Sequence, residues 1–402
     1  MARLLIFIAL AGLVSCSCFL ALVIVSILRF RRRPNQSPAG DLPFVTLLKP
    51  LCGLEPNLEE NLASFFEQDY PAFEIVFGTR DARDPALNVV RTLQRRYPYI
   101  PTRIVYSGEP SKPNAKVCSL IKMCRRAASD YMVISDSDVH VTPEYLADVV
   151  RPLLDPEVGM VTCVYRGVPT GGLWSRLEAL GMSVEMTAGV VLADMLEGMK
   201  FALGPSMSIR RGALEAIGGM EALADYCADD YVLGNEIFRA GYKVVLSHHI
   251  IDHVVLGRSL RSSWEHQVRW MKSTRFSRPK GHLGTGLTFA TPFGVVGLFA
   301  GLLSGHAGLG FALFAAAMLN RVVLALATGW GAVRDQRSLA FCWLYPVRDF
   351  LGFGLWCASY FSREIVWRDQ AYRLAPGGRM VRVGTPAEAE SESTPVTVDD
   401  FA

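Results

Sequence analysis

The 402-residue sequence has no strong charge of either sign. Its net charge is +3, which gives no general reason to propose nucleic acid as a partner. It also lacks paired cysteine spacings. Nine cysteines are present, but no Cys-x-x-Cys pair, so zinc-ribbon and thioredoxin readings are excluded. Cys118, Cys124, Cys342 and Cys357 read as small buried hydrophobes of a reducing compartment. No internal repeat is visible. What the sequence has in excess is hydrophobicity, at 50% of residues, concentrated towards its two ends.

The run from Leu4 to Leu28 carries no charge and is followed at once by Arg29, Arg31, Arg32 and Arg33. It is long enough to cross a bilayer core, and the arginines place its C-terminal end in the cytoplasm. A cleaved signal peptide would have a shorter apolar stretch. Leu13-Val14-Ser15-Cys16 has the form of a lipoprotein cleavage box, but the apolar run continues beyond it. We therefore read residues 1–33 as an uncleaved transmembrane anchor and residues 34–43, rich in Pro, Asn and Ser, as a linker.

Residues 44–280 alternate strand and helix signals. Short β-rich runs at Phe44–Leu48, Phe73–Phe77, Arg103–Tyr106 and Tyr131–Ser135 flank helical patterns at Asn57–Glu67 and Ala86–Tyr97. This predicts an α/β domain with a mostly parallel sheet, whose ligands bind at the carboxyl ends of its strands. Residues 281–361 hold three further apolar segments: Gly284–Ser304, Ala307–Trp330 with Asn320 and Arg321, and Leu339–Phe361 with Arg348 and Asp349. Charges at membrane depth are expensive and Pro346 breaks helices, so the last segment is expected to bend or lie at the interface, with Asp349 paired to Arg321. Residues 362–402 read as a cytoplasmic tail, basic and then acidic, disordered beyond about Arg382. Leu173–Met199 is apolar but interrupted by Arg176, Glu178 and Glu185. It reads as a helix at the membrane surface, with an ordinary core helix as the alternative.

Several polar residues stand where a strand ends or a helix begins. Asp136-Ser137-Asp138 follows the fourth strand run. Two carboxylates at i and i+2 there suit Mg2+ or Mn2+ and a sugar-nucleotide diphosphate, although turns also collect Asp. Asp81 follows the second run and is placed to bond a nucleotide base, since Asp84 serves better as the helix cap. Lys116 begins a helix and is placed to meet a phosphate. Asp229-Asp230 opens an amphipathic helix. One acid suffices for capping, which leaves Asp230 as a general base. In Gln267-Val268-Arg269-Trp270, Arg269 suits diphosphate oxygens and Trp270 a sugar or acceptor. An interfacial helix explains the same residues. His253 is a weaker candidate for an additional metal ligand, and His248 and His249 read as structural.

Asp81, Asp136-x-Asp138, Asp230 and the Gln267–Trp270 run, in that order, resemble the "D, D, D, Q/R-x-x-R-W" signature of family-2-like membrane glycosyltransferases. Leu47-Leu48-Lys49-Pro50-Leu51-x-Gly53, Glu55-Pro56-Asn57-Leu58-x-x-Asn61-Leu62 and Phe65-Phe66-Glu67-x-Asp69-Tyr70-Pro71 are similar to the opening of the ceramide glucosyltransferase family. Asp84-Pro85-Ala86, Asp229-Asp230-Tyr231, Trp367-Arg368 and Tyr372-Arg373-Leu374 extend the similarity over roughly residues 42–376. The resemblance implies a GT-A-type domain, a UDP-sugar donor, a divalent cation and inversion at the anomeric carbon. It assigns Asp81 to the nucleotide, Asp136 and Asp138 to donor and metal, and Asp230 to the base, with Gln267, Arg269 and Trp270 completing the site. Eukaryotic members have Asp-Ser-Gly in place of Asp136-Ser137-Asp138 and Glu-Asp in place of Asp229-Asp230. Bacterial relatives include hopanoid-associated enzymes with an N-acetylglucosamine donor, so the expected acceptor is ceramide or a hopanoid polyol. Two rival readings are a processive polysaccharide synthase, which would need a polymer channel, and a non-catalytic sugar-nucleotide sensor or scaffold, which would be expected to lose a carboxylate.

Overall fold

The computed structural model describes residues 1–33, 40–257, 259–367 and 370–383. Most of the expected linker and the acidic end of the expected tail lie outside the described residues. The centre of the chain is one eight-stranded sheet built from β1 (Val45–Pro50), β2 (Phe73–Thr79), β3 (Thr102–Tyr106), β4 (Tyr131–Ser135), β5 (Val139–His140), β6 (Val158–Pro169), β7 (Ser206–Arg210) and β8 (Lys243–Val255). Its order is β3-β2-β1-β4-β7-β6-β8-β5. The first four positions are parallel, β7 is antiparallel to both neighbours, and β6 and β8 are again parallel. β1, β2 and β4 are covered on both faces, which is why they read as nearly unbroken apolar runs rather than alternating ones. The expected mostly parallel α/β domain is the one observed.

β1 runs on through Lys49, which the expected Phe44–Leu48 strand left out. That side chain is fully buried. It is tolerated because its ammonium donates to the Asp136 carbonyl at 2.5 Å and to Ser135 Oγ at 3.3 Å, and lies 3.5 Å from the Phe65 ring centroid.

Among the described residues, three helices are long and apolar enough to cross a membrane: Ala2–Arg32, Gly172–Glu197 and Ala307–Trp330. A fourth crossing would come from the pair Pro279–Thr285 and Ala290–Leu303, bent by 41°. At 31 residues the first helix spans about 46 Å and packs against Ala290–Leu303 and Ala307–Ala325. Gly172–Glu197, by contrast, lies on β6, and about two-thirds of its most apolar stretch is buried in protein. Gly167 of β6 permits the approach, since a Cβ there would meet the backbone of Ala179. Two of its four acids face inward to partners: Glu178 to Ser263 and His266, Glu185 to Arg348. The core-helix alternative therefore describes this segment better than a helix lying at the membrane surface.

The last apolar segment is broken as expected. Gln336–Phe341 is followed by a short turn at Cys342–Leu344 and then by Tyr345–Ala358, whose 14 residues reach only about 21 Å, short of a bilayer core of about 30 Å. Pro346 sits in the first turn, where its missing N–H is not needed. Asp349 pairs with Arg321 at 3.1 Å, with both side chains almost wholly buried, and also accepts from the Thr291 N–H at 2.8 Å. One carboxylate thus joins three helices.

Beyond this, the segment read as a tail forms a second sheet of β9 (Glu364–Trp367), β10 (Gln370–Leu374) and β11 (Met380–Arg382), antiparallel throughout. It docks on the α/β domain. The Met380 N–H donates to the Asp225 carbonyl at 2.7 Å, and the Cys227 N–H donates to the Gly378 carbonyl at 3.1 Å.

Candidate active site

A cleft of about 310 Å³ opens at the carboxyl ends of β1, β2, β3 and β4, where an open parallel sheet places its ligands. Lys116, Asp136, Ser137 and Asp138 line it, together with Glu55, Arg80 and Trp367. Asp136 and Asp138 are carried there by the turn that leaves β4 for β5.

Asn114 caps the helix Ala115–Cys124, accepting from the Val117 N–H, and so aims Lys116 of the first turn into the cleft. Lys116 Nζ meets Asp136 Oδ1 at 2.5 Å. Burial opposes its charge, but Asp136, Asp229 and Asp230 outweigh burial and raise its pKa, so the ammonium stays charged. Asp138 Oδ2 lies 3.0 Å from His253 Nε2, because β5 pairs with β8 and sets Val139 opposite His253. Burial raises the Asp138 carboxyl despite His253, and its second oxygen, Oδ1, is buried without a hydrogen-bond partner.

Asp229 and Asp230 open the helix Asp229–Arg239. Asp229 turns inward and accepts from Asn114 Nδ2 at 3.0 Å, so it is a structural acid. Asp230 accepts from the Gly204 N–H at 2.8 Å and from the Tyr231 N–H at 2.8 Å. Gly234 allows this helix to sit directly on the 201–204 segment, where a Cβ would meet the backbone of Phe201 and Ala202. Burial, and then the Asp229 carboxylate, push the Asp230 carboxyl up to about 6. Burial first, and then the charges of Asp230, Asp138 and Asp136, raise the Tyr165 hydroxyl.

Asp81 is exposed at the end of β2, where its Oδ1 accepts from the Arg83 N–H at 2.8 Å. Its neighbour Arg80 lines the cleft, whereas Asp81 is not among the lining residues. Asp84 takes the cap expected of it, accepting from the N–H groups of Ala86 and Gly53.

The helix Leu260–Ser277 carries the remaining candidates. Arg269 lies 5.3 Å from the Trp367 ring centroid. Trp270 lies 4.3 Å from the ring of His266, one helical turn away. Gln267 points elsewhere. It donates to Ser263 Oγ at 2.9 Å and lines a small apolar slot with Trp174, Leu177, Trp264 and Leu355. Counting back from Arg269-Trp270, the first position of Q/R-x-x-R-W falls on His266 rather than Gln267. His266 Nδ1 is 3.0 Å from Glu178 Oε1. The i, i+4 spacing of His266 and Trp270 was the available signal. Lys49, Glu55 and Trp367 also belong to the site. Glu55 Oε2 accepts from Ser137 Oγ at 2.6 Å, and burial raises its carboxyl. Lys49 is pushed down to about 7 by burial, against the pull of Asp136, Asp138 and Glu55.

Among the described residues no group of three or more His, Cys, Asp and Glu side chains is arranged to hold a metal ion by itself. Two carboxylates with a partnerless Asp138 oxygen do fit an ion that draws its other ligands from a diphosphate and water, the usual arrangement for Mg2+.

The profile of glycosyl transferase family 21 matches residues 5–380. Ceramide glucosyltransferase 1 of Caenorhabditis elegans is 26% identical over 382 residues, covering 92% of this chain and 81% of that one. Ceramide glucosyltransferase of Komagataella phaffii is 35% identical over 117 residues, 28% of this chain and 23% of the relative. Among solved structures, a mannosyltransferase of Pyrobaculum calidifontis in complex with GDP-Man and Mn2+ is 22% identical, with a TM-score of 0.47, over 87% of this chain and 98% of its own.

Proposed function

The chain belongs to glycosyl transferase family 21, and on that basis we propose that it moves a hexose, glucose or N-acetylglucosamine, from a UDP-sugar onto a hydroxyl of a membrane lipid, ceramide or a hopanoid polyol, with inversion at the anomeric carbon. The observation that carries this reading is the gathering of Lys116, Asp136 and Asp138 in one cleft, with Asp230 within the field of the same lysine. The names of the relatives support a lipid acceptor.

In this mechanism Lys116 and Arg269 supply positive charge to the donor diphosphate. Asp136 and Asp138 would hold a divalent cation, which neutralises charge on the leaving diphosphate. Asp81, exposed just after β2 and next to the cleft-lining Arg80, is assigned to the nucleotide base. Asp230 takes the proton of the acceptor hydroxyl. The acceptor oxygen then bonds to the anomeric carbon from the face opposite the diphosphate, the bond to the diphosphate oxygen breaks, and UDP leaves. A carboxyl at about 6 is ionised at neutral pH yet basic enough for this transfer. Trp270, held by His266, is placed for the acceptor side. Arg29 and Arg31–Arg33 keep the catalytic domain on the cytoplasmic side of the membrane.

Membranes carrying the protein, incubated with UDP-glucose or UDP-N-acetylglucosamine and with ceramide or hopanoid polyols, test the reading by mass spectrometry of the lipid extract. A lipid heavier by one hexose or N-acetylhexosamine supports it. A polymer, or no sugar-dependent product with any pair, refutes it.

A further inference from the structure

Among the described residues, Trp367 brings the second sheet to the cleft. Trp367, the last residue of β9, lines the cleft together with Arg80, Lys116, Asp136 and Asp138, and its ring carries the Arg269 guanidinium at 5.3 Å. The sheet is tied to both parts of the site. Through Asp225 and Cys227 it grips the segment that leads into Asp229-Asp230. Through Glu364, whose carbonyl accepts from Lys272 Nζ at 2.7 Å, it grips the helix that carries Arg269 and Trp270. Ile365, Tyr372, Leu374 and Met380 close a small core of their own over Cys227 and Phe276, with Trp367 at its edge. Such a core fixes the ring, and a fixed ring lets a binding residue act without an ordering cost.

We propose that Trp367 is a donor-binding residue, the aromatic wall of the nucleotide-sugar site and the platform that sets the plane of the Arg269 guanidinium. This rests on the nucleotide-sugar reading above and adds a residue to it. An indole offers a flat face to a base or sugar ring. A guanidinium stacked on that face keeps its N–H edge in a defined plane for phosphate oxygens. Lys272 and Arg275 on the same helix have other contacts: Lys272 the Glu364 carbonyl, Arg275 the Ser359 carbonyl and the Tyr360 ring. Arg269 is the residue of this helix whose guanidinium lies over the Trp367 ring, at 5.3 Å from its centroid.

The test is calorimetric titration of UDP into the full-length protein in lipid nanodiscs, in the presence of Mn2+, with steady-state kinetics alongside. Trp367→Leu is expected to weaken UDP binding and raise the KM for the UDP-sugar by about tenfold, the scale of a lost stacking or cation–π contact. The KM for the lipid should stay within about twofold, and Trp367→Phe should recover most of the loss. Arg269→Lys, which keeps the charge but loses the plane, should weaken UDP binding in the same direction and tests the idea even if Trp367→Leu fails to fold. Unchanged UDP affinity in Trp367→Leu or Arg269→Lys overturns the proposal. So do equal losses towards donor and lipid that Trp367→Phe does not repair. Absence of UDP binding by the unmodified protein overturns the nucleotide-sugar reading itself, and this inference with it.

Discussion

Lys116 Nζ and Asp136 Oδ1 meet at 2.5 Å, and the same ammonium is within the field of Asp229 and Asp230. This one cation therefore links the carboxylates after β4 with the acids that open the Asp229–Arg239 helix. Removing it takes away the positive charge that Asp136, Asp229 and Asp230 feel and, in the proposed mechanism, a donor to the diphosphate. Lys116→Ala should lower kcat/KM for the UDP-sugar by about 10², the scale of one lost electrostatic contact at a reacting group. Steady-state kinetics against donor concentration checks this.

Asp230 is expected to set the acid limb of the pH profile. Its carboxyl is raised from 3.8 to about 6, so the ionised base is lost as pH falls through about 6, and kcat/KM should fall tenfold per pH unit below that point. Asp230→Asn should lower turnover by about 10² or more and abolish this limb. The raised pKa also means that the folded state binds this proton more tightly than the unfolded chain does. Ionised Asp230 therefore costs stability above pH 6, a cost that grows as pH rises from 3.8 to 6. The Asn variant should melt no lower than wild type at pH 7, which separates lost chemistry from lost fold.

Asp138→Ala should weaken metal-dependent UDP-sugar binding, and chelation should abolish wild-type activity. His253→Gln should reduce metal affinity by a smaller step, about tenfold, because the ring contacts Asp138 from outside the proposed ligand set. Calorimetry of Mn2+ and UDP-sugar binding, separately and together, reads both effects. A chelator-resistant enzyme would contradict the role given to the two aspartates.

Breaking the Arg321–Asp349 pair should damage the helical part rather than the catalytic cleft. Asp349→Ala leaves a buried guanidinium uncompensated, at a cost of about 3–5 kcal/mol. Replacing both residues by apolar ones, Arg321→Met with Asp349→Leu, should restore much of the lost stability. Thermal melts in detergent of the wild type, Arg321→Met, Asp349→Leu and the double variant form the double-mutant cycle.

The sequence was informative wherever local chemistry demanded a partner or a period. Apolar runs ending at Phe77 and Ser135 announced strands, and the carboxylates after Ser135 fell at the carboxyl edge of the sheet. Asp349 and Arg321 announced each other because unpaired charges do not persist inside apolar segments. Less was legible where tertiary contact decides. Lys49 interrupts a strand pattern, and only the Asp136 carbonyl and the Phe65 ring explain its burial. Gln267 and His266 are neighbours, and the count back from Arg269-Trp270 already selects His266, which shares a helical face with Trp270. The acids of Gly172–Glu197 looked like interruptions because their partners, His266 and Arg348, lie far along the chain. Trp367 read as part of a tail because its place comes from the docking of a whole small sheet.

The central claim is a single displacement of UDP by a lipid hydroxyl. It is tested most directly by proton NMR of the glycolipid made by the purified protein in nanodiscs from an α-linked UDP-sugar. The account predicts one sugar per lipid, in β linkage, and no product from Asp230→Asn above about one-hundredth of the wild-type rate. An α-linked product, or β-linked product formed at the wild-type rate by Asp230→Asn, would contradict it.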